Sequence, residues 1–344
     1  MAIGVASRLY SSLLLLVAAE PPGNLPSLTP FRSPFVLWDG QWYLRIAQSG
    51  YHVEAIYPGP GGGQHDYAFP PGWPLLMRTV SLGGSLPFDL VAVILANLLF
   101  IAAAAATWYA LAQRFDERTA LWATALLAFS PASFVFSMAY SEPLFLLLAG
   151  LYFANRYGRL SPFLAAASIL VRSSGAAVAA SAALALFLAR PPAPRRRLLL
   201  VLLAVGAAAA AWSVYLWQLT GNPFAWPSAS TNWISYVGLR DIDRALEVTP
   251  ERTLAWLGFV AVVVLGGLLL VRRHPDLAVY SLVATAMSIV AAPIGSMARH
   301  AAIAFPAFAA LVYPLGTRTR LLLVGVSALA EIYFVRLMLL GASP

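Results

Sequence analysis

Long apolar runs alternate with short basic turns along most of this chain. Runs near the ~20 residues that cross a hydrocarbon core recur from end to end. A spanning chain must satisfy its backbone polar groups internally, which favours helices. The pattern predicts helices at about 3–19, 88–112, 119–138, 143–157, 198–219, 254–271, 277–293, 301–315 and 321–340. Two further apolar pieces, at about 161–171 and 175–189, are each too short to span comfortably. They lie between basic turns at 156–159 and 190–197, so they read as a pair that enters and leaves. Val171-Arg172-Ser173-Ser174-Gly175 forms the outer tip of that pair. The expectation is an all-α, polytopic membrane protein of about 11 membrane helices, one domain over residues 1–344. Long outer loops are expected at about 20–86 and 220–252.

Charge fixes the orientation. One alternation puts Arg8, Arg114, Arg118, Arg156, Arg159, Arg190, Arg195, Arg196, Arg197, Arg272, Arg273, Arg318 and Arg320 on the inner side, where cytoplasmic loops collect basic residues. The same alternation leaves nearly all the acids outside, among them Glu20, Asp39, Glu54, Asp66, Asp89, Glu142, Asp241, Asp243, Glu247 and Glu251. Residues 1–19 could be a signal peptide, but Glu20-Pro21-Pro22 is a poor cleavage site, and an uncleaved first helix is expected.

Composition narrows the chemistry. Hydrophobic residues make up 60% and charged residues 10% of the 344, far from the ~25% charged of soluble domains. The net charge of +8 comes entirely from Arg; inner-loop enrichment accounts for it without nucleic acid. With no Cys, disulfides and thiolate sites are excluded. The Arg-only, Ala-rich usage hints at a prokaryotic source, and a multi-pass cell-membrane location with the active face outside is expected.

The first loop is too long and too aromatic for a tether. Between Leu37 and Ala47 apolar positions recur at helical spacing, which predicts an amphipathic helix in the interface with Asp39 near its start. Asp39 reads as an N-cap or as a reacting acid. Glu54, His65 and Asp66 follow; His65-Asp66 could pair, or could be solvated. The glycines at 59–63 form a hinge without the Lys of a phosphate loop. Prolines in Phe69-Pro70-Pro71-Gly72-Trp73-Pro74 fix a rigid re-entry to the membrane. Arg172 and Arg299 lie at the ends of apolar runs, where ionisable groups tend to be functional or to snorkel. Glu142 opens a helix, where it serves the helix field or pairs with one of these arginines. Asp241-Ile242-Asp243 reads as part of a solvated helix, because i and i+2 do not share a face. Trp226, Trp233 and Tyr236 read as an interfacial belt or a sugar platform.

These residues carry a resemblance. Trp38-Asp39-Gly40, Trp42-Tyr43, Ile46-Ala47 and Gly50-Tyr51, then Ala68-Phe69-Pro70-Pro71-Gly72-Trp73-Pro74-Leu75, resemble the first-loop signature of the PIG-V (second GPI mannosyltransferase) family. That family belongs to the C-type glycosyltransferase (GT-C) superfamily. Weaker, collinear matches follow in Tyr140-Ser141-Glu142-Pro143-Leu144-Phe145, Val171-Arg172-Ser173-Ser174-Gly175, Asn222-Pro223-Phe224-Ala225-Trp226 and Arg299-His300. Position 300 is His where the family often has Tyr.

The resemblance implies a GT-C-like fold and transfer of a sugar, usually mannose, from a polyprenyl-phosphate donor at the outer face. The acceptor would be a lipid or glycan hydroxyl. The family's first-loop acid falls on Asp39, expected as the catalytic base. Trp38, Trp42, Tyr43, Glu54, His65, Glu142, Arg172, Arg299 and His300 are the expected substrate-binding residues. A phosphate leaving group needs no general acid, so one carboxylate suffices and the transfer should invert; the arginines would meet the phosphate charge. No cofactor is required by this scheme; a divalent metal is conceivable but has no support in the motifs. A transporter or flippase of a lipid-linked sugar is the alternative, and it would place an acid at mid-membrane. Membrane lipids are the other expected partners, and nucleic acid is not one.

Overall fold

In the computed structural model, residues 1–17, 34–57, 63–188, 194–234, 249–291 and 296–339 are described, with positions 242, 246 and 247. Glu20, the hinge at 59–62, Arg190, Tyr236, Arg240, Asp241, Asp243, Arg244 and the side chain of Trp233 lie outside the described residues.

The described residues form an α-helical bundle. In chain order the helices are α1 (Ala2–Val17), α2 (Asp39–Ser49), α3 (Gly72–Val80), α4 (Phe88–Ala112), α5 (Glu117–Ala128), α6 (Glu142–Ala154), α7 (Ser161–Val171) and α8 (Gly175–Phe187). Then follow α9 (Arg195–Thr220), α10 (Ala225–Ile234), α11 (Pro250–Leu270), α12 (Pro275–Ala291), α13 (Met297–Ala302), α14 (Phe305–Val312) and α15 (Thr317–Leu339). Among the described residues, α4, α9, α11 and α15 are long and apolar enough to cross a membrane; α1, α6, α7 and α8 are shorter apolar helices.

Local signals set the boundaries. The Asp116 carboxylate accepts from the backbone N–H of Thr119 at 2.8 Å and caps α5. Proline occupies the first turn of α6, α7, α11 and α14, where its missing N–H costs nothing. Gly221 ends α9 at φ 72°. Two expected helices are broken. The run at 119–138 stops at Ala128 and resumes as a 3₁₀ turn, Ser133–Ser137, because Pro131 cannot continue a helix. The run at 301–315 straddles the junction of α13 and α14, where Pro306 imposes the same break. The pair α7 and α8 is separate, as the spacing predicts.

Helix α4 packs along α6, α7 along α9, α8 along α12, and α14 against both α5 and α11. Helices α2 and α3 pack on each other and on α4. The expected helix over 37–47 is present as α2, and the protein covers most of it: Gly40, Gln41, Trp42, Tyr43, Leu44, Ile46 and Ala47 are all buried. Phe69, Trp73, Met77, Ala92 and Ala139 close over it.

Two ionic clusters mark opposite ends of α6. At its C-terminal end Arg156 pairs with Asp276, which also lies 3.5 Å from Arg114. At its N-terminus stands Glu142. One basic residue departs from expectation: Arg8 does not flank α1 but is buried within it. Its guanidinium donates to the Ser133 carbonyl and the Ser137 hydroxyl, both at 2.9 Å, and lies 4.2 Å from the Phe100 ring centroid. Nearby, Ser11 donates to the fully buried Glu331 at 2.6 Å. Arg8 and one oxygen of Glu331 thus find partners inside the bundle, where lipid would leave them unpaired, while Glu331 Oε2 is buried without a hydrogen-bond partner.

Candidate active site

The site begins with a strained turn. Trp38 precedes α2 with φ 56° and ψ −122°, a region that L residues other than Gly enter at a cost of about 1–3 kcal/mol. The turn starts α2 at Asp39 and puts Trp38, not Asp39, at the N-cap position. The Asp39 carboxylate reaches Arg299 at 2.6 Å and so serves an ion pair.

Arg299 stands on α13 and is buried, with Asp39 the more open partner at 15% side-chain exposure. Its other terminal nitrogen lies 3.5 Å from Glu142. Glu142 is wholly buried and binds Arg172 at 2.9 Å. Gly175 makes the α7–α8 turn possible: a Cβ there would lie 2.4 Å from the Ile169 nitrogen. That turn holds Arg172 at the end of α7, where it also donates to the Ser141 hydroxyl at 2.9 Å. Ser141 in turn shares a 2.8 Å hydrogen bond with the Tyr43 hydroxyl. Asp39 and Tyr43 are four residues apart, on one face of α2. The result is a closed chain of contacts: Asp39, Arg299, Glu142, Arg172, Ser141, Tyr43.

The electrostatics follow from two carboxylates and two guanidinium groups in a buried space. Burial opposes the charge on Arg299, but Asp39 and then Glu142 outweigh it and raise its pKa. The Tyr140 ring adds a face to the same guanidinium, 5.0 Å from ring centroid to Cζ, and its hydroxyl donates to the Leu37 carbonyl at 3.2 Å. Burial, chiefly, pushes the Tyr43 phenol up, so it stays protonated. His300 donates from Nδ1 to the Ser296 carbonyl at 2.8 Å. Burial first, then the charges of Arg172 and Arg299, hold its pKa well below the usual histidine value. It is a neutral imidazole beside the arginines.

Six of the ten expected residues are thus gathered at one place: Asp39, Tyr43, Glu142, Arg172, Arg299 and His300. Trp38 is adjacent to Asp39 in sequence, and its indole nitrogen is buried without a hydrogen-bond partner. Trp42 is a core residue, stacked on Phe69 at 5.7 Å and edge-on to Tyr57. Glu54 is exposed, and among the described residues no ion pair joins it to the arginines. His65 stacks on Tyr67 at 4.6 Å and does not pair with Asp66. The buried Asp66 accepts instead from the backbone N–H of His52 at 3.1 Å and meets its ring Nδ1 at 2.8 Å. Ser141, Tyr140 and His52 are contributors that sequence reasoning passed over. The first two stood beside Glu142 in a quoted motif. Among the described residues no three His, Asp or Glu side chains cluster as metal ligands would.

Known proteins similar to this chain are transferases by their descriptions. The family model described as Mannosyltransferase (PIG-V) matches residues 26–186. GPI mannosyltransferase 2 of Drosophila pseudoobscura pseudoobscura is 38% identical over 119 residues, which are 31% of this chain and 24% of that protein. The match therefore spans about a quarter of that relative's length. Among solved structures, the oligosaccharyltransferase of Archaeoglobus fulgidus tethered to an acceptor peptide superposes with TM-score 0.52 and 13% identity, over 99% of this chain and 55% of that one. The same archaeal enzyme, AglB, bound to an inhibitory peptide and a dolichol-phosphate, gives TM-score 0.52 at 14% identity, with the same coverage. These likenesses show a fold shared with that archaeal enzyme. The match to the Mannosyltransferase (PIG-V) family model spans residues 26–186, the stretch that supplies Asp39, Tyr43, Glu142 and Arg172.

Proposed function

We propose that this chain is a membrane glycosyltransferase that moves a mannosyl group from a polyprenyl phosphate to an acceptor hydroxyl at the outer membrane face. The observation that carries the reading is the pairing of the more open acid, Asp39, with one of two buried arginines that share Glu142. In the reaction, the Asp39 carboxylate takes the proton of the acceptor hydroxyl as its oxygen attacks the anomeric carbon. The bond from that carbon to the phosphate oxygen breaks, and polyprenyl phosphate leaves with the electron pair. One displacement inverts the anomeric centre. Arg172 and Arg299 sit where the leaving phosphate gains charge, in a dry space that strengthens the interaction. Glu142 keeps both arginines in place while Asp39 exchanges its partner for the acceptor.

The PIG-V match and the transferase neighbours favour this reading over a transporter or flippase of a lipid-linked sugar. The deciding experiment reconstitutes the protein in liposomes with labelled polyprenyl-phosphate mannose and a lipid extract, and identifies the labelled product. Transfer with inverted anomeric configuration is expected. Retention of configuration, or movement of the intact donor across the bilayer without transfer, overturns the proposal.

A further inference from the structure

The charged cluster has a closed side and an open one. Tyr43, Tyr140, Ser141, Glu142, Arg172 and Arg299 are buried. Asp39 on α2 and His300 on α13 are only half-buried, as is Trp38. The Asp39–Arg299 pair holds the two open ionisable residues close, because Arg299 and His300 are consecutive on α13. A substrate that reaches the arginines therefore meets Asp39 and His300 on the way. Asp39 has its part in the proposed reaction; His300 has been given none.

The chemistry of the imidazole is set by its backbone partner. The Ser296 carbonyl, one turn earlier, can only accept, so the 2.8 Å contact fixes the proton on Nδ1. The ring is neutral, held so by burial first and then by Arg172 and Arg299. Nε2 then carries a lone pair and no proton. Among the described residues it makes no hydrogen bond.

A lone pair beside two guanidinium groups selects its partner by elimination. Phosphate oxygens are acceptors and gain nothing from Nε2; they belong on the arginines. A metal ion is opposed by the two positive charges, and no three His, Asp or Glu side chains cluster among the described residues. What fits is a neutral donor, and the neutral donors of a glycosyl phosphate are its sugar hydroxyls. Arg172 acts on the imidazole more strongly than Arg299 does. Arg172 is tied to Glu142, and Arg299 to Asp39. His300 thus lies toward the phosphate side of the cluster and away from the base, and the donor sugar hangs directly from that phosphate.

We propose that His300 Nε2 accepts a hydrogen bond from one hydroxyl of the sugar being transferred, which makes His300 a specificity-determining residue. The proposal rests on the transferase reading above for the identity of the ligand, though not for the state of the ring. A sugar lacking that hydroxyl leaves the lone pair unpaired in a desolvated recess, and a site built to bond a hydroxyl rejects such an analogue.

The test measures equilibrium binding, so it needs no acceptor. The whole chain in nanodiscs is titrated with polyprenyl-phosphate mannose and with its 2-, 3-, 4- and 6-deoxy analogues. One analogue should bind the parent protein about tenfold more weakly than the intact donor. His300→Phe keeps a flat ring and removes the acceptor. It should weaken the intact donor and bring that one analogue to within about twofold of it. His300→Asn, whose amide oxygen can accept, should restore part of the discrimination. A merely structural role would weaken every ligand alike and leave the ratios as they are in the parent. That result, or a parent that binds all the analogues within about twofold of the intact donor, overturns the proposal. Discrimination lost in His300→Phe, without mannose transfer from any donor, would leave the role of His300 standing and sink the transferase reading. Transfer without discrimination does the reverse.

Discussion

Asp39 and Arg299 are 260 residues apart in sequence and 2.6 Å apart in space. The acid opens α2, and the arginine stands on a six-residue helix near the far end of the chain. Asp39→Asn keeps the side-chain volume and loses the proton acceptor. General-base catalysis contributes about 10²–10⁴-fold, so transfer should fall by at least about 100-fold in a single-turnover assay. Thermal stability should change little by comparison, because Arg299 keeps Glu142 nearby. A variant transferring at near parental rate would remove Asp39 from the base role.

Glu142 is a different kind of acid. It is wholly buried and serves two guanidinium groups. Glu142→Gln leaves Arg172 and Arg299 in a buried space with Asp39 alone to balance them. Breaking a buried ion pair by removing one partner costs about 3–5 kcal/mol. The expected result is a clear drop in melting temperature in detergent, partly recovered by adding Arg172→Gln. No drop would mean that water reaches the cluster and shares its charge.

The turn at Trp38 yields a test that separates strain from packing. Alanine removes the ring but keeps a Cβ in a conformation that favours glycine; glycine removes both. Trp38→Gly should therefore be more stable than Trp38→Ala, by about 1–3 kcal/mol. Equal stabilities would show that the turn relaxes once the ring is gone. If the ring also packs against substrate, both variants lose transfer to the same extent, which a rate comparison reads directly.

The buried pair of sites at Arg8 and Glu331 should behave cooperatively. Each single change, Arg8→Leu or Glu331→Leu, leaves a charge or a polar group stranded among apolar helices, and should lower the melting temperature. The double change removes both and should recover most of the loss, since an apolar replacement of a buried pair is often neutral. Strictly additive losses would show that the two groups act separately.

His300 supplies a pH dependence. Its pKa in the folded protein lies well below the unfolded value, first from burial and then from Arg172 and Arg299. The unfolded chain therefore binds the proton more readily. Its contribution to stability is full above about pH 6.5 and falls as the pH drops below that value. Melting temperature measured from pH 7.5 to 5 should decline, and His300→Gln should flatten the decline. An unaltered slope in the variant would assign the effect to other groups.

The contributors on the first half of the chain were legible because local signals mark them. Aromatics at helical spacing announced α2, the prolines at 70–74 announced the entry to α3, and the short apolar pieces announced the α7–α8 turn. Longer reach was not legible. No spacing rule links Asp39 to Arg299, and only the packed bundle brings α13 against α2. The breaks after Ala128 and before Phe305 were missed because the apolar runs continue through them, although Pro131 and Pro306 carried the signal. Arg8 looked like an inner flank because a single arginine near a helix start usually is one; its burial depends on Ser133, Ser137 and Phe100, which lie far along the chain. Adjacency left His65-Asp66 open between a pair and two solvated groups, and neither holds for Asp66, whose buried carboxylate faces His52.

Helix α6 has 13 residues, which at about 1.5 Å each reach about 20 Å. The hydrocarbon slab of a bilayer is about 30 Å thick. The acid at one end of this rod and the arginine just past the other cannot both lie at the headgroup level of an undeformed bilayer. Either the membrane dimples around the protein or the acidic end opens into a recess below the surface. On the proposed transferase reading, a hydrophobic anchor would then not have to be lifted out of the lipid for its polar head to arrive at Glu142 and the arginines.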